Sequence, residues 1–179
     1  MKKEKVAVFV ATLYCSKLIP PALVKSMAGT YGSLVALPLC YYAIKAGQYS
    51  TWLYILILLA VFLIGKWCVP LAEVELGPMI DWGGKIMSSD QDQIVIDEVL
   101  GMLVTCMPLI WLPAPSMFDF ILRLLIAFIL FRLFDAIKLS PASLFDEWHC
   151  SSGVMLDDAM AGLYAGVVLT LLTQVFKLI

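Results

Sequence analysis

The chain has 179 residues, 62% of them apolar and 15% charged, with a formal net charge of −2 and a mean hydropathy of +0.94. An average globular chain is roughly half apolar and about a quarter charged, so this one has too little polar surface to coat a water-soluble domain. The balance excludes an ordinary cytosolic domain, a disordered chain and a disulfide-stapled secreted module, and the 12 Lys and Arg residues form no basic block that could track a nucleic acid.

An integral membrane protein remains. Residues 6–15 make a short apolar run behind Met1-Lys2-Lys3-Glu4-Lys5. No small-x-small cleavage site follows it, and Pro20-Pro21 ends it, so an interfacial or packed N-terminal helix is expected. Five longer apolar runs come next, at residues 31–44, 52–65, 99–113, 118–134 and 159–176. Each falls short of the roughly 20 residues that a bilayer core requires, so the helices must extend into flanking polar residues or include a re-entrant piece. The expected fold is all-α: a polytopic membrane helical bundle of about four to five membrane helices plus the short N-terminal one. Residues 1–179 are expected to form a single membrane-embedded domain.

Five cysteines, Cys15, Cys40, Cys68, Cys106 and Cys150, show no C-x-x-C spacing and read as small apolar side chains. Gly162 and Gly166 form a small-xxx-small pattern suited to close helix packing. Lys2, Lys3, Lys5, Lys17 and Lys25 precede the first long run and place the N-terminus in the cytoplasm by the positive-inside rule.

That topology brings four polar clusters to one membrane depth. Gly29-Thr30-Tyr31-Gly32-Ser33 stands where a helix is expected to begin, and free amides with two hydroxyls there suit an oxyanion. Asp97-Glu98 is flanked by apolar residues on both sides, and Asp157-Asp158 repeats the pattern. Anions in such surroundings are costly, and two acidic pairs at one depth repel unless a cation neutralises them. A hard divalent ion such as Mg²⁺ prefers carboxylate oxygen. Arg132, Asp135 and Lys138 are spaced three apart on one helix face. Arg132 there offers a planar fork to phosphate and Lys138 a point charge. His149 is the single histidine and lies in a polar loop. Metal-assisted chemistry on a phosphorylated lipid follows, with hydrolysis and transfer not separated by these residues alone.

Four blocks, Gly29-Thr30-Tyr31-Gly32-Ser33-Leu34, Ile94-Val95-Ile96-Asp97-Glu98-Val99-Leu100-Gly101, Phe131-Arg132-Leu133-Phe134-Asp135-Ala136-Ile137-Lys138 and Gly153-Val154-Met155-Leu156-Asp157-Asp158-Ala159-Met160-Ala161-Gly162, occur in the order in which the phosphatidylglycerophosphatase A family carries them. The chain resembles that family over roughly residues 10–170. The resemblance implies an all-helical, Mg²⁺-dependent enzyme of the inner cell membrane with its site facing the cytoplasm. Its substrate would be phosphatidylglycerophosphate, and its products phosphatidylglycerol and inorganic phosphate. On that pattern Asp97, Glu98, Asp157 and Asp158 hold metal. Asp135 completes the shell or orients water. Arg132, Lys138, Thr30, Ser33 and His149 contact phosphate. Departures from the family fall in loops, such as Leu139 and Cys150-Ser151, and bear on the head group. The partners expected are the lipid substrate and bilayer lipids, with oligomeric state left open. Two other classes stay in view. An alcohol phosphotransferase would carry a D-G-x-x-A-R stretch, which is missing. An ion-coupled transporter would place its acids at the midplane of inverted repeats rather than at span ends.

Overall fold

The structure is a computed structural model and describes residues 2–13, 21–77, 79–80, 86–87, 93–137 and 151–175. Among the described residues six α-helices follow in chain order: α1 (Lys2–Thr12), α2 (Pro21–Tyr49), α3 (Thr51–Leu76), α4 (Ile96–Cys106), α5 (Met117–Ile137) and α6 (Ser151–Thr170). Between α3 and α4 a two-residue antiparallel pair, β1 (Met79–Ile80) and β2 (Ile86–Met87), pairs Met79 with Met87 and Ile80 with Ile86. The fold is the expected all-α bundle.

Among the described residues, three helices are long and apolar enough to cross a membrane: Met27–Tyr49, Thr51–Leu76 and Met155–Gln174. The sequence led to four or five. The fourth run fails on charge, because α5 spans 21 residues but carries Asp119, Arg123, Arg132 and Asp135. The third fails on length. Helix α4 ends after 11 residues and tightens into a 3₁₀ turn, Met107–Ile110. Pro108 explains the change: it has no N–H to continue the α ladder, and it is tolerated at the start of a new turn.

Burial explains why α4 is apolar all the same. Ile96, Val99, Leu100, Met102, Leu103 and Cys106 are all buried. A helix that is apolar all round and wrapped by protein needs no bilayer. Helix α6 makes its main packing partner, α2 and α3 flank it, and α5 leans on α6. Helix α3 does the opposite, turning Leu53, Leu56, Leu59 and Leu63 outward where lipid would lie. Tyr49 and Trp52 at the α2–α3 turn are among the most exposed side chains, as a membrane–water boundary favours.

Two polar devices hold the centre. The hydroxyls of Thr105, Thr170 and Thr173 each donate to the carbonyl four residues earlier, at 2.8 to 2.9 Å, so none is left without a partner in apolar surroundings. The buried Tyr54 hydroxyl donates across to the Leu103 carbonyl, tying α3 to α4. Tyr54→Phe removes that bond at nearly constant shape. It should cost about 1 kcal/mol, which lowers the melting temperature of detergent-solubilised protein by about 2–4 °C. An unchanged melt would show that the bond contributes nothing net.

Candidate active site

Helix α1 fixes where α4 begins. The Val95 amide donates to the Ala11 carbonyl at 2.8 Å, and Ile94, Val95 and Ile96 are buried beside Ala7 and Ala11. The chain therefore enters α4 at a defined angle, with Asp97 and Glu98 in its first turn. The helix dipole favours anions there by a few tenths of a kcal/mol to about 1 kcal/mol. That does not offset burial of a charge. Asp97 is buried, and its Oδ1 accepts the Glu98 amide at 3.1 Å.

Asp157 and Asp158 lack even that help. The sequence placed them at the opening of a helix, but α6 starts at Ser151, so they sit well inside it, both buried. The dipole effect fades within the first turn. Ligand oxygens of Asp97, Glu98 and Asp158 lie within 4.8 Å of one another. Asp157 does not join this set, since consecutive residues leave a helix about 100° apart. The Asp135 carboxyl neighbours Asp158. Burial, then the Asp97 carboxylate beside it, push the Glu98 carboxyl well above its ordinary range, with Asp158 adding to the effect. Glu98 Oε2 is buried and has no hydrogen-bond partner among the described residues. Three converging carboxylates, one with an oxygen left over, suit a hard cation with oxygen ligands, and they contain no nitrogen or sulfur donor that would select a softer one.

A cation from the protein stands at the edge of this cluster. Arg132 Nη1 contacts Asp135 Oδ2 at 2.7 Å, with both side chains partly open to solvent. Gly29 lets the two signs approach α2 together. A Cβ there would lie 2.6 Å from Glu98 Oε1 and 2.8 Å from Arg132 Nη1. The Gly-Thr-Tyr-Gly-Ser stretch thus reaches the site by close packing.

Its expected role as a helix N-terminus is corrected. Helix α2 begins at Pro21, so residues 29–33 lie in its interior and their amides serve the helix. Ser33 is fully buried and donates to the Gly29 carbonyl at 2.8 Å, which turns it away from any phosphate. Tyr31 donates to the Leu13 carbonyl at 2.9 Å, securing the end of α1. Thr30 remains half-buried near the cluster's level. Lys138 and His149 lie outside the described residues, as do Cys15 and Cys150. Cys40, Cys68 and Cys106 are buried free thiols, as expected. What sequence reasoning missed is the packing role of Gly29 and the contact of α1 with α4, both of which depend on which helices touch.

The fold and site define a membrane protein with an acid-lined centre, where the first turn of α4, the early part of α6 and the end of α5 meet. The phosphatidylglycerophosphatase A family matches residues 10–173, and the chain belongs to that family. A phosphatidylglycerophosphatase A of Escherichia coli (strain K12) is 29% identical over 148 residues, covering 79% of this chain and 71% of that protein. A Bacteroides thetaiotaomicron protein provisionally named a phosphatidylinositol-3-phosphatase is 30% identical over 88 residues, covering 49% of each chain. No solved structure matches the chain.

Proposed function

We propose that the chain is a Mg²⁺-dependent lipid phosphatase of glycerophospholipid biosynthesis. It hydrolyses the terminal phosphomonoester of phosphatidylglycerophosphate to phosphatidylglycerol and inorganic phosphate. The observation that carries this is the gathering of Asp97, Glu98 and Asp158 beside Arg132 in a chain of this family. Asp97, Glu98 and Asp158 hold the metal, with the buried Asp157 next to Asp158 in the chain. When bound, Mg²⁺ supplies positive charge against the phosphomonoester dianion and Lewis acidity toward its oxygens.

The protein's own groups do the positioning. Arg132, held by Asp135, presents its remaining N–H donors to the phosphate. Lys138 and His149, both outside the described residues, are further candidate phosphate contacts, and Thr30 offers a hydroxyl. Asp135, within reach of both Arg132 and Asp158, is placed to accept a proton from the attacking water. The acyl chains stay in the bilayer. The lysine-rich N-terminal segment supports a site on the cytoplasmic side of the cell membrane.

A phosphate-release assay in detergent tests this, with phosphatidylglycerophosphate, phosphatidylinositol-3-phosphate and phosphatidic acid as substrates. Release from the first, lost with EDTA and restored by Mg²⁺, is the expected result. EDTA-insensitive release would end the metal assignment. Preference for phosphatidylinositol-3-phosphate would transfer the function to the substrate in the Bacteroides protein's name.

A further inference from the structure

An apolar groove of about 320 Å³ runs between α4 with its 3₁₀ turn and α6. Ligand pockets generally begin near 300 Å³. One wall is Val104, Met107 and Trp111, and the other is Leu163, Val167 and Thr170. These walls belong to the two helices that carry the Asp97, Glu98 and Asp158 carboxylates. The groove is concave because Gly166 has no side chain: a Cβ there would meet the Thr105 carbonyl oxygen at 3.2 Å and Pro108 Cγ at 3.6 Å. Its lining is mostly apolar: the Thr170 hydroxyl is already donated to the Gly166 carbonyl, and the Gln174 amide stands only at the far end. Leu163 and Val167 are each about half exposed, so the groove opens sideways toward lipid.

Depth identifies the occupant. At about 1.5 Å per helical residue, Leu163 lies roughly 8 Å past Asp158, Val104 roughly 10 Å past Asp97, and Thr170 roughly 18 Å past Asp158. One leaflet's hydrocarbon is about 15 Å deep, half of the bilayer core. A lipid whose phosphate reached the carboxylates would hang its tail along the nearer part of the groove, from Leu163 and Val104 to Val167, while Thr170 and Gln174 lie deeper than that leaflet.

We propose, resting on the lipid-phosphatase function above, that this groove seats one acyl chain of the substrate and so sets where its phosphate stands. Moving a tail from bilayer into protein gains little hydrophobic energy, because lipid is as apolar as leucine. The seat therefore acts through position, and it favours lipids whose tails are long enough to enter it.

Val167→Trp fills the groove from a half-exposed position. Phosphate release is measured on long-chain phosphatidylglycerophosphate and on a short-chain analogue whose tails end before Leu163. The long-chain to short-chain ratio of kcat/KM should fall about tenfold or more, as displacement of a reacting group by an ångström allows. An unchanged ratio overturns the seat, as does a shift of the protein to a different oligomeric mass, which would make the groove a seam between copies. If the unsubstituted protein releases no phosphate from either lipid, the phosphatase function fails instead. The seat is then decided by cross-linking with phosphatidic acid carrying a diazirine at its tail end. Adducts on Val104, Leu163 or Val167 that excess phosphatidic acid removes and phosphatidylcholine does not support it. Adducts that both lipids remove equally mark ordinary boundary lipid and overturn it.

Discussion

Asp97→Asn and Asp158→Asn should each reduce phosphate release by about 10³-fold or more, because each removes a charged ligand from a centre that must offset a phosphate dianion. Lost activity alone would not separate a ligand from a structural residue, but the stability of the same variants does. Ligand oxygens of Asp97, Glu98 and Asp158 crowd within 4.8 Å, so in the metal-free protein they repel one another. An amide in place of either aspartate relieves that repulsion. The melting temperature without metal should stay level or rise. Added Mg²⁺ should then stabilise the unsubstituted protein, by about 2.7 kcal/mol when the ion is at 100 times its dissociation constant, and the variants much less. A variant that melts well below the parent in EDTA would show that the carboxylate serves the fold. Either variant retaining full activity would remove the cluster from the chemistry.

The acids themselves were legible from sequence, because carboxylates set between apolar residues have few explanations. Asp97-Glu98 and Asp158 meet as expected, with Arg132 and Asp135 at their edge. What sequence could not supply was which apolar run faces lipid and which faces protein. Residues 99–113 have the composition of a span, yet most of 99–110 is buried in the bundle, and the buried Met102, Leu103 and Cys106 look like lipid-facing residues to any hydropathy scale. Helix starts were equally hidden. Pro21 is the one start signal in residues 21–28, so residues 29–33 read as a helix start suited to an oxyanion, whereas Gly29 serves close approach. The same blindness made Ser33 a phosphate contact, whereas its hydroxyl serves the Gly29 carbonyl. It also left Asp157 and Asp158 as an undivided pair, although only helix geometry decides which of two neighbours points inward.

The spacing of the glycines, in contrast, carried real information about assembly, and it leads to the second large effect. Gly162 stands one turn past Asp158, and any Cβ on it would collide with the Gly101 carbonyl oxygen. Gly101 in turn lies against the Phe131 ring and 2.8 Å, measured from an added Cβ, from the Asp158 carbonyl oxygen. The α4–α6 crossing thus occurs beside the carboxylates that the two helices bring together, with α5 closing over it. Gly162→Ala must push the backbones apart by a fraction of an ångström, and Gly162→Leu by considerably more. The alanine variant should keep its helical circular dichroism while losing about 10²-fold in phosphate release, since Asp158 no longer reaches Asp97 and Glu98 in register. The leucine variant should also be destabilised by about 1–3 kcal/mol or more, as overpacking of a tight interface costs, and should show no Mg²⁺-dependent rise in melting temperature. A control at Leu163, one residue on and half exposed, separates register from general crowding: Leu163→Ala should leave the melt within about 0.5 kcal/mol of the parent, as substitutions away from tight packing do. If Gly162→Leu proved as active and as stable as the parent, α4 and α6 would not cross at these glycines, and the metal centre could not be assembled from their acids.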